Sequence, residues 1–335
     1  MSAESVIQDI IAGKVAPIYL LHGEESYYID QIADAIEDHV LSEVEKAFNL
    51  MIFYGKDVDH KTIIDECRQY PMMSRLRVVI LKEAQDLKSF NDLLSYVENP
   101  SPSTVLVLCH KHKKIDQRTK LAKTIAQKGI MYESAKLYDN KIPEWINKYV
   151  QSKGFKIDPQ AVQMVSEYIG SDLTRIVSEI DKATINHNPK ITISTELIQE
   201  QIGINKDFNV FELTTALGTK NFTKANQIIK YFAENTKNNP TVVVISMVFN
   251  YFVKVIIVAQ NNKASDMELV KIAGIPSTFF VQEYRNAAKK YTLPHLKKIF
   301  FALKKADQHS KGVGASHGEE SFILKDILIA CMMPQ

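Results

Sequence analysis

Residues 18–21, Ile-Tyr-Leu-Leu, are a short apolar run that reads as a buried strand, and Gly23 follows almost at once. Residues 28–37 then repeat with helical spacing, with Tyr28, Ile32, Ala35 and Ile36 on one face. Strand, glycine and helix in that order are the layout of a phosphate-binding loop, G-x-x-x-x-G-K-[ST]. Counted from Gly23, the second glycine has become Tyr28, the lysine Ile29 and the hydroxyl residue Asp30, and the loop carries Glu24 and Glu25. A helix N-terminus favours anions, and carboxylates from the chain itself already occupy that field. A nucleotide phosphate would meet repulsion there and no lysine. The chain is therefore expected to fold like a nucleotide-binding α/β domain without using nucleotide.

The second half of the same signature is altered in the same direction. Residues 78–81, Val-Val-Ile-Leu, read as another buried strand. In a Walker B strand an acidic residue follows the apolar run and holds Mg²⁺. Lys82 stands there instead, followed by Glu83. The alternative is a plain α/β domain in which Gly23 is only a turn glycine.

Strand and helix patterns alternate from residue 15 to about 137. Strands are expected at 18–21, 49–54, 78–81, 104–109 and 129–133, several as continuous apolar runs of the kind a parallel sheet buries on both faces. Helices are expected at 28–41, 61–68, 90–96 and 116–126. From about residue 140 the strand signal stops. Pro143 opens a helix, Asp158-Pro159 caps a second, Ser171 or Asp172 caps a third, and a short last one after residues 192–195 closes at Gly203. Further helices are expected at 210–217, 223–234, 240–260, 266–273, 278–290, 294–309 and 319–332, with a glycine-containing break at 311–317. The fold class is thus an α/β N-terminal domain, a parallel sheet with flanking helices and a degenerate P-loop, followed by two all-α domains. The boundaries fall at 1–139, 140–206 and 207–335.

A chain of 335 residues has room for two or three domains. Its net charge of +2 excludes a polycation wrapped on nucleic acid, so any DNA contact must be local. Cys67, Cys109 and Cys331 are far apart, without metal-ligand or disulfide spacing, which points to small buried thiols and a reducing, cytoplasmic setting. The first residues read as a short helix ending at Gly13 rather than a signal peptide. Residues 242–259 are apolar enough to raise the membrane question, but Ser246, Asn250 and Lys254 interrupt them, and a buried helix is expected rather than a membrane span.

Five stretches in order carry a closer resemblance: PIYLLHGEE from Pro17, PMMSRLRVVI from Pro71, LVLCHKHKKID from Leu106, GSDLTRIVSE from Gly170 and ADQHSK from Ala306. With them the chain resembles the delta subunits of bacterial DNA polymerase III, clamp-loader subunits with an AAA+-like fold. That resemblance implies a subunit that binds and opens the sliding clamp for loading onto primed DNA. It implies no ATPase activity of its own and no cofactor, in a component of the polymerase holoenzyme. It implies ATPase subunits and a delta-prime subunit as partners through a C-terminal collar, with primer-template DNA in the assembled complex. It also implies a clamp-binding site at Pro71, Met72, Met73 and Ser74, where members of the family carry two large hydrophobic residues as a plug. Met is flexible and polarizable and suits adaptable surfaces. Read without the resemblance, the two methionines are expected to fill the domain core, where Met more often serves as a gap-filler.

Lys111, Lys113, Lys114 and Arg118 form a local basic cluster for which DNA contact is the functional reading and a solvated face the plain one. Residues 285–311 are also lysine-rich. His110 and His112 have no third ligand nearby in sequence, so no metal site is expected, and no catalytic motif is present. Two rivals stand against the clamp-loader reading. An active P-loop ATPase or kinase would need a phosphate lysine, and a DNA-binding regulator would need a recognition helix rich in Arg, Asn or Gln.

Overall fold

In a computed structural model, residues 2–185, 188, 191–202, 205, 208–237, 239–313 and 320–333 are described, with backbone only at 320–322. The chain divides into two compact units, residues 1–137 and 138–335.

The first unit opens with α1 (Ala3–Ile11) and holds a five-stranded parallel sheet of β1 (Ile18–Gly23), β2 (Leu50–Tyr54), β3 (Arg77–Lys82), β4 (Thr104–Lys111) and β5 (Ile130–Ser134), in the order β2-β3-β4-β1-β5. The helices between the strands are α2 (Ser26–His39), α3 (Glu43–Asn49), α4 (His60–Arg68), α5 (Leu94–Val97) and α6 (Lys120–Lys128). Strand side chains alternate between two cores. Tyr19, Leu21, Val78, Ile80 and Val107 pack with α1 and α2 on one face, while Ile18, Leu20, Val79, Leu81 and Leu108 pack with α4, α5 and α6 on the other. Both faces are covered, which is why these strands read as unbroken apolar runs.

Several expected boundaries shift. The buried face of α2 is built on Ile29, Ile32, Ala33 and Ile36, and Tyr28 is only half-buried, because the helix begins two residues earlier than its spacing suggested. Residues 90–93 form a 3₁₀ turn and only 94–97 a single α-turn, where Leu93, Tyr96 and Val97 suffice to plug the core. Helix α6 starts at Lys120 rather than 116, because the Asp116 carboxylate turns back onto the Arg118 N–H at 2.9 Å and Thr119 supplies the N-cap. Helix α3 was not expected at all.

The second unit begins with α7 (Ile142–Ser152), α8 (Pro159–Ile169), α9 (Leu173–Thr184) and α10 (Thr195–Ile202). A two-residue parallel pair, β6 (Lys156–Ile157) with β7 (Thr192–Ile193), corrects the expectation of helices alone after residue 140. Asp172, not Ser171, caps α9 by accepting from the Arg175 N–H at 3.0 Å. Gly203, the 206/207 boundary and residues 314–317 of the glycine-containing break lie outside the described residues. The remaining helices are α11 (Val210–Thr219), α12 (Phe222–Glu234), α13 (Thr241–Gln260), α14 (Asp266–Ala273), α15 (Thr278–Lys290), α16 (Leu293–Ser310) and α17 (Glu320–Met332). Helix α13 is long and apolar enough to cross a membrane, yet Val244, Val248, Phe252 and Val255 are buried among its neighbours as the centre of this unit's core. Lys254 on α13 pairs with Glu167 on α8 at 2.9 Å, tying the earlier helices to the later ones.

Candidate functional site

The degenerate phosphate loop is shorter than the sequence count implied. Strand β1 continues through Gly23 and α2 starts at Ser26, so the turn is Glu24-Glu25 alone. Glu25 is buried, and its carboxylate caps the helix by accepting from the Tyr27 N–H at 2.9 Å. The Glu25 N–H donates to the Ser134 carbonyl at 3.2 Å. Two backbone donors that could have held a phosphate are thereby spent within the fold. Gly23 permits this closure. Its φ is +141°, and a Cβ there would stand 2.0 Å from the Ser134 carbonyl oxygen. Ile29, at the lysine position of the motif, is fully buried in the core.

A cation does enter the region, from another strand. The Lys111 ammonium at the end of β4 lies 2.7 Å from Asp30 and 3.3 Å from Glu83, with its side chain 13% exposed. Burial pulls the Lys111 pKa down, but its hydrogen bond to Asp30 and the two carboxylate charges outweigh that and hold it raised. Burial pushes Glu83 up, and hydrogen bonding from Gln85 with the charge of Lys111 brings it below the usual carboxylate range. The Gln85 side-chain oxygen also accepts from the Lys111 N–H at 2.9 Å. Glu83 has a positive φ of 52°, a conformation that costs a non-glycine residue energy and that this network holds in place. Lys82 ends β3 and sets its charge against Asp34, whose carboxyl is nonetheless raised by burial and by the neighbouring acids. Where the motif would hold a nucleotide, Asp30, Glu83 and Lys111 form an ion cluster that keeps a net charge of −1.

The methionine pair stands away from any core. Met73 is 99% exposed and Met72 58%, in the segment that joins α4 to β3, and the adjoining Tyr70 is 89% exposed. Exposed apolar side chains grouped on one loop are the observation that usually marks a contact surface. The loop is firmly held. The fully buried Asn49 at the end of α3 accepts from the Met72 N–H at 2.7 Å and donates to the Met72 carbonyl at 2.9 Å. Arg77, buried at the start of β3, donates to the carbonyls of Glu66 at 3.0 Å and Phe48 at 3.2 Å and pairs with the Glu66 carboxylate. Pro71 and Ser74 flank the pair and are half-buried. The core reading of Met72 and Met73 does not hold.

The basic cluster divides. Lys111 is consumed by the acidic pair, Lys114 is 2.6 Å from Glu133, and Arg118 is bound to Asp116. Lys113 is exposed. His110 is buried and His112 exposed with φ +68°, so the two rings lie in different surroundings. Among the described residues no group of three His, Cys, Asp or Glu side chains is placed to hold a metal ion. All three cysteines are buried and unbridged, and burial pushes the Cys67 and Cys109 thiols up to about 12. In the 285–311 region, Arg285 is structural, holding Asp266 at 2.8 Å and the Ala264 carbonyl at 2.7 Å. Sequence reasoning missed both Asn49 and the pairing of Lys111. A capping signature, Ser42 with Glu45, could have found α3 and hence Asn49.

Residues 19–135, which hold both the closed loop and the methionine pair, match the family model described as DNA polymerase III, delta subunit. The DNA polymerase III subunit delta of Bacillus subtilis is 24% identical over 250 residues, covering 72% of each chain. A probable DNA polymerase III subunit delta of Aquifex aeolicus is 20% identical over 310 residues, covering 88% of this chain and 86% of that one. The structure of the Bacillus subtilis DNA clamp loader delta protein superposes with a TM-score of 0.56 at 21% identity, over 98% of this chain and 99% of that one. The resemblance read from the sequence is borne out, as is the α/β fold class: a five-stranded parallel sheet domain with flanking helices, followed by a mostly helical unit.

Proposed function

We propose that this chain, a relative of the DNA polymerase III delta subunits, is the subunit of a clamp loader that binds the sliding clamp and holds its ring open, by binding rather than by catalysis. The observation that carries the proposal is the methionine pair: two large apolar side chains presented to solvent on a backbone fixed by a buried asparagine. Few-residue apolar anchors of this kind supply most of the energy of many interfaces. Met72 and Met73 enter an apolar pocket of the clamp, with Pro71 and Ser74 at the rim. A binding partner shifts an opening equilibrium only by its differential affinity for the open form. The pair therefore acts at a place on the ring that changes between closed and open.

The closed phosphate loop supports a subunit without ATP turnover. Glu25 takes the helix N-terminus, Ile29 lies in the core, and Lys111 is bound by Asp30 and Glu83 in a cluster that stays negative. Motion driven by ATP then belongs to partner subunits. In this reading residues 1–139 bind the clamp, 140–206 are a lid, and 207–335 form the collar that joins the ATPase and delta-prime subunits. Exposed Phe249, Ile272, Phe279 and Phe301 supply apolar contact there. Lys113, with Lys114 and Arg118 after exchange of their acidic partners, is the candidate contact for primer-template DNA.

The test is titration of the purified chain into its own species' sliding clamp by calorimetry. Binding together with faster exchange of clamp subunits supports the reading. Absence of binding at micromolar concentrations of both overturns it.

A further inference from the structure

We infer that Asn49 is the positioning residue of the clamp-binding loop, fixing the Met72 backbone on both sides of its Cα so that Met72 and Met73 are presented together in one pre-formed arrangement. This rests on the clamp reading above and adds the device that makes the pair effective. Free methionine side chains have three rotatable bonds, and a loop that was also free would lose backbone entropy on binding. Rigidity set in advance removes that second cost.

The geometry is specific. The Asn49 amide bonds the two peptide groups that flank the Met72 Cα, accepting from the Met72 N–H at 2.7 Å and donating to the Met72 C=O at 2.9 Å. The same nitrogen donates to the Glu45 carbonyl at 3.0 Å, which locks the amide onto the last turn of α3. Asn49 is fully buried while the residue it holds is 58% exposed, so the anchor lies inside and the load outside. Immediately beyond, Met73 has a positive φ of 51°, a conformation a side-chain-bearing residue adopts only when neighbours impose it. On the far side the Ser74 hydroxyl accepts from the Leu76 N–H at 3.4 Å. Helix α3 thus grips the loop at the residue before Met73. No other side chain can reproduce this grip. Aspartate keeps the acceptor and loses the donors, and glutamine is one methylene too long for a buried site.

The experiment is a double-mutant cycle on the full chain, Asn49→Ala against Met72→Ala/Met73→Ala, read by clamp affinity, urea midpoint and hydrogen exchange of the Met72 amide. Asn49→Ala is expected to weaken clamp binding about tenfold, the loss of roughly one net buried hydrogen bond. It should speed Met72 exchange and leave affinity unchanged in the background that lacks both methionine side chains. Equal weakening in both backgrounds, or unchanged Met72 exchange, overturns the inference. Should Asn49→Ala fail to fold, Asn49→Asp carries the same cycle with a smaller expected loss. If Met72→Ala/Met73→Ala itself leaves affinity unchanged, the clamp reading falls, and Met72 exchange in the free protein still decides whether Asn49 positions the loop.

Discussion

Removing the methionine side chains, Met72→Ala with Met73→Ala, should abolish most clamp affinity and leave the fold intact. Each truncation deletes three heavy atoms beyond Cβ, and burying a methylene-sized group stabilises by about 0.8 kcal/mol. Met73, at 99% exposure, has nearly all of that surface still to bury, whereas Met72, at 58%, has somewhat over half. Fixing two flexible side chains in a pocket takes part of the gain back. The net loss is about 2–4 kcal/mol, roughly 30- to 700-fold in Kd. Neither side chain supports the core, so the unfolding free energy should move by no more than about 0.5 kcal/mol, as for other surface substitutions. Calorimetric titration with the clamp and urea unfolding of the same preparations separate the two quantities. The reasoning is refuted if the double variant binds normally but is destabilised by about 2–5 kcal/mol, the cost of truncating buried methionine.

Calorimetry with ATP and Mg²⁺ should show no specific heat, because the turn offers carboxylates where phosphate would sit, and micromolar affinity would contradict this. Lys111→Met leaves Asp30 and Glu83 without their cation. It should lower stability by about 1–3 kcal/mol, less than a fully enclosed pair because Asp30 is partly exposed, with part recovered on adding Asp30→Asn. An unchanged urea midpoint would show that the network contributes nothing. His22 and His110, neighbours on β1 and β4, are both held below the ordinary histidine pKa by burial. Glu133 raises His22, while Lys114 and the His110 ring lower it, and Lys113 lowers His110 against its backbone hydrogen bonds. The unfolded chain then takes up protons first, so stability is full above about pH 6.5 and falls as pH drops below it. His22→Asn should flatten that dependence, and an equal slope in both proteins would exclude His22 as a source.

The parallel sheet was legible because its five strands are buried on both faces and leave continuous apolar runs. The lost phosphate chemistry was legible because Tyr28, Ile29 and Asp30 carry the wrong atoms wherever the backbone puts them. Helix α3 left no such trace. Val44 and Phe48 point to solvent at 78% and 53% exposure, and its buried residue is Asn49, so no apolar face marks it. The roles of Asn49 and Lys111 depend on partners 23 residues away in the first case and on both Asp30 and Glu83 in the second. Pairings of that kind arise only from packing. The methionine pair was ambiguous for the opposite reason, since the same residue type serves cores and surfaces, and only its exposure in the fold separates them.

The two-residue turn after β1 also bears on what substitution alone could build at this place. Lysine at position 29 would send an ammonium into the hydrocarbon between α2 and the sheet rather than toward any phosphate. A residue with a Cβ at position 23 would collide with the neighbouring strand, and glycine at 28 would only weaken the helix. No single codon change leads back to a working nucleotide site. A phosphate cradle here would need a longer backbone and the displacement of Glu25 from the helix N-terminus. On the proposed reading, the length of this turn is what keeps phosphate out, before any side chain is considered.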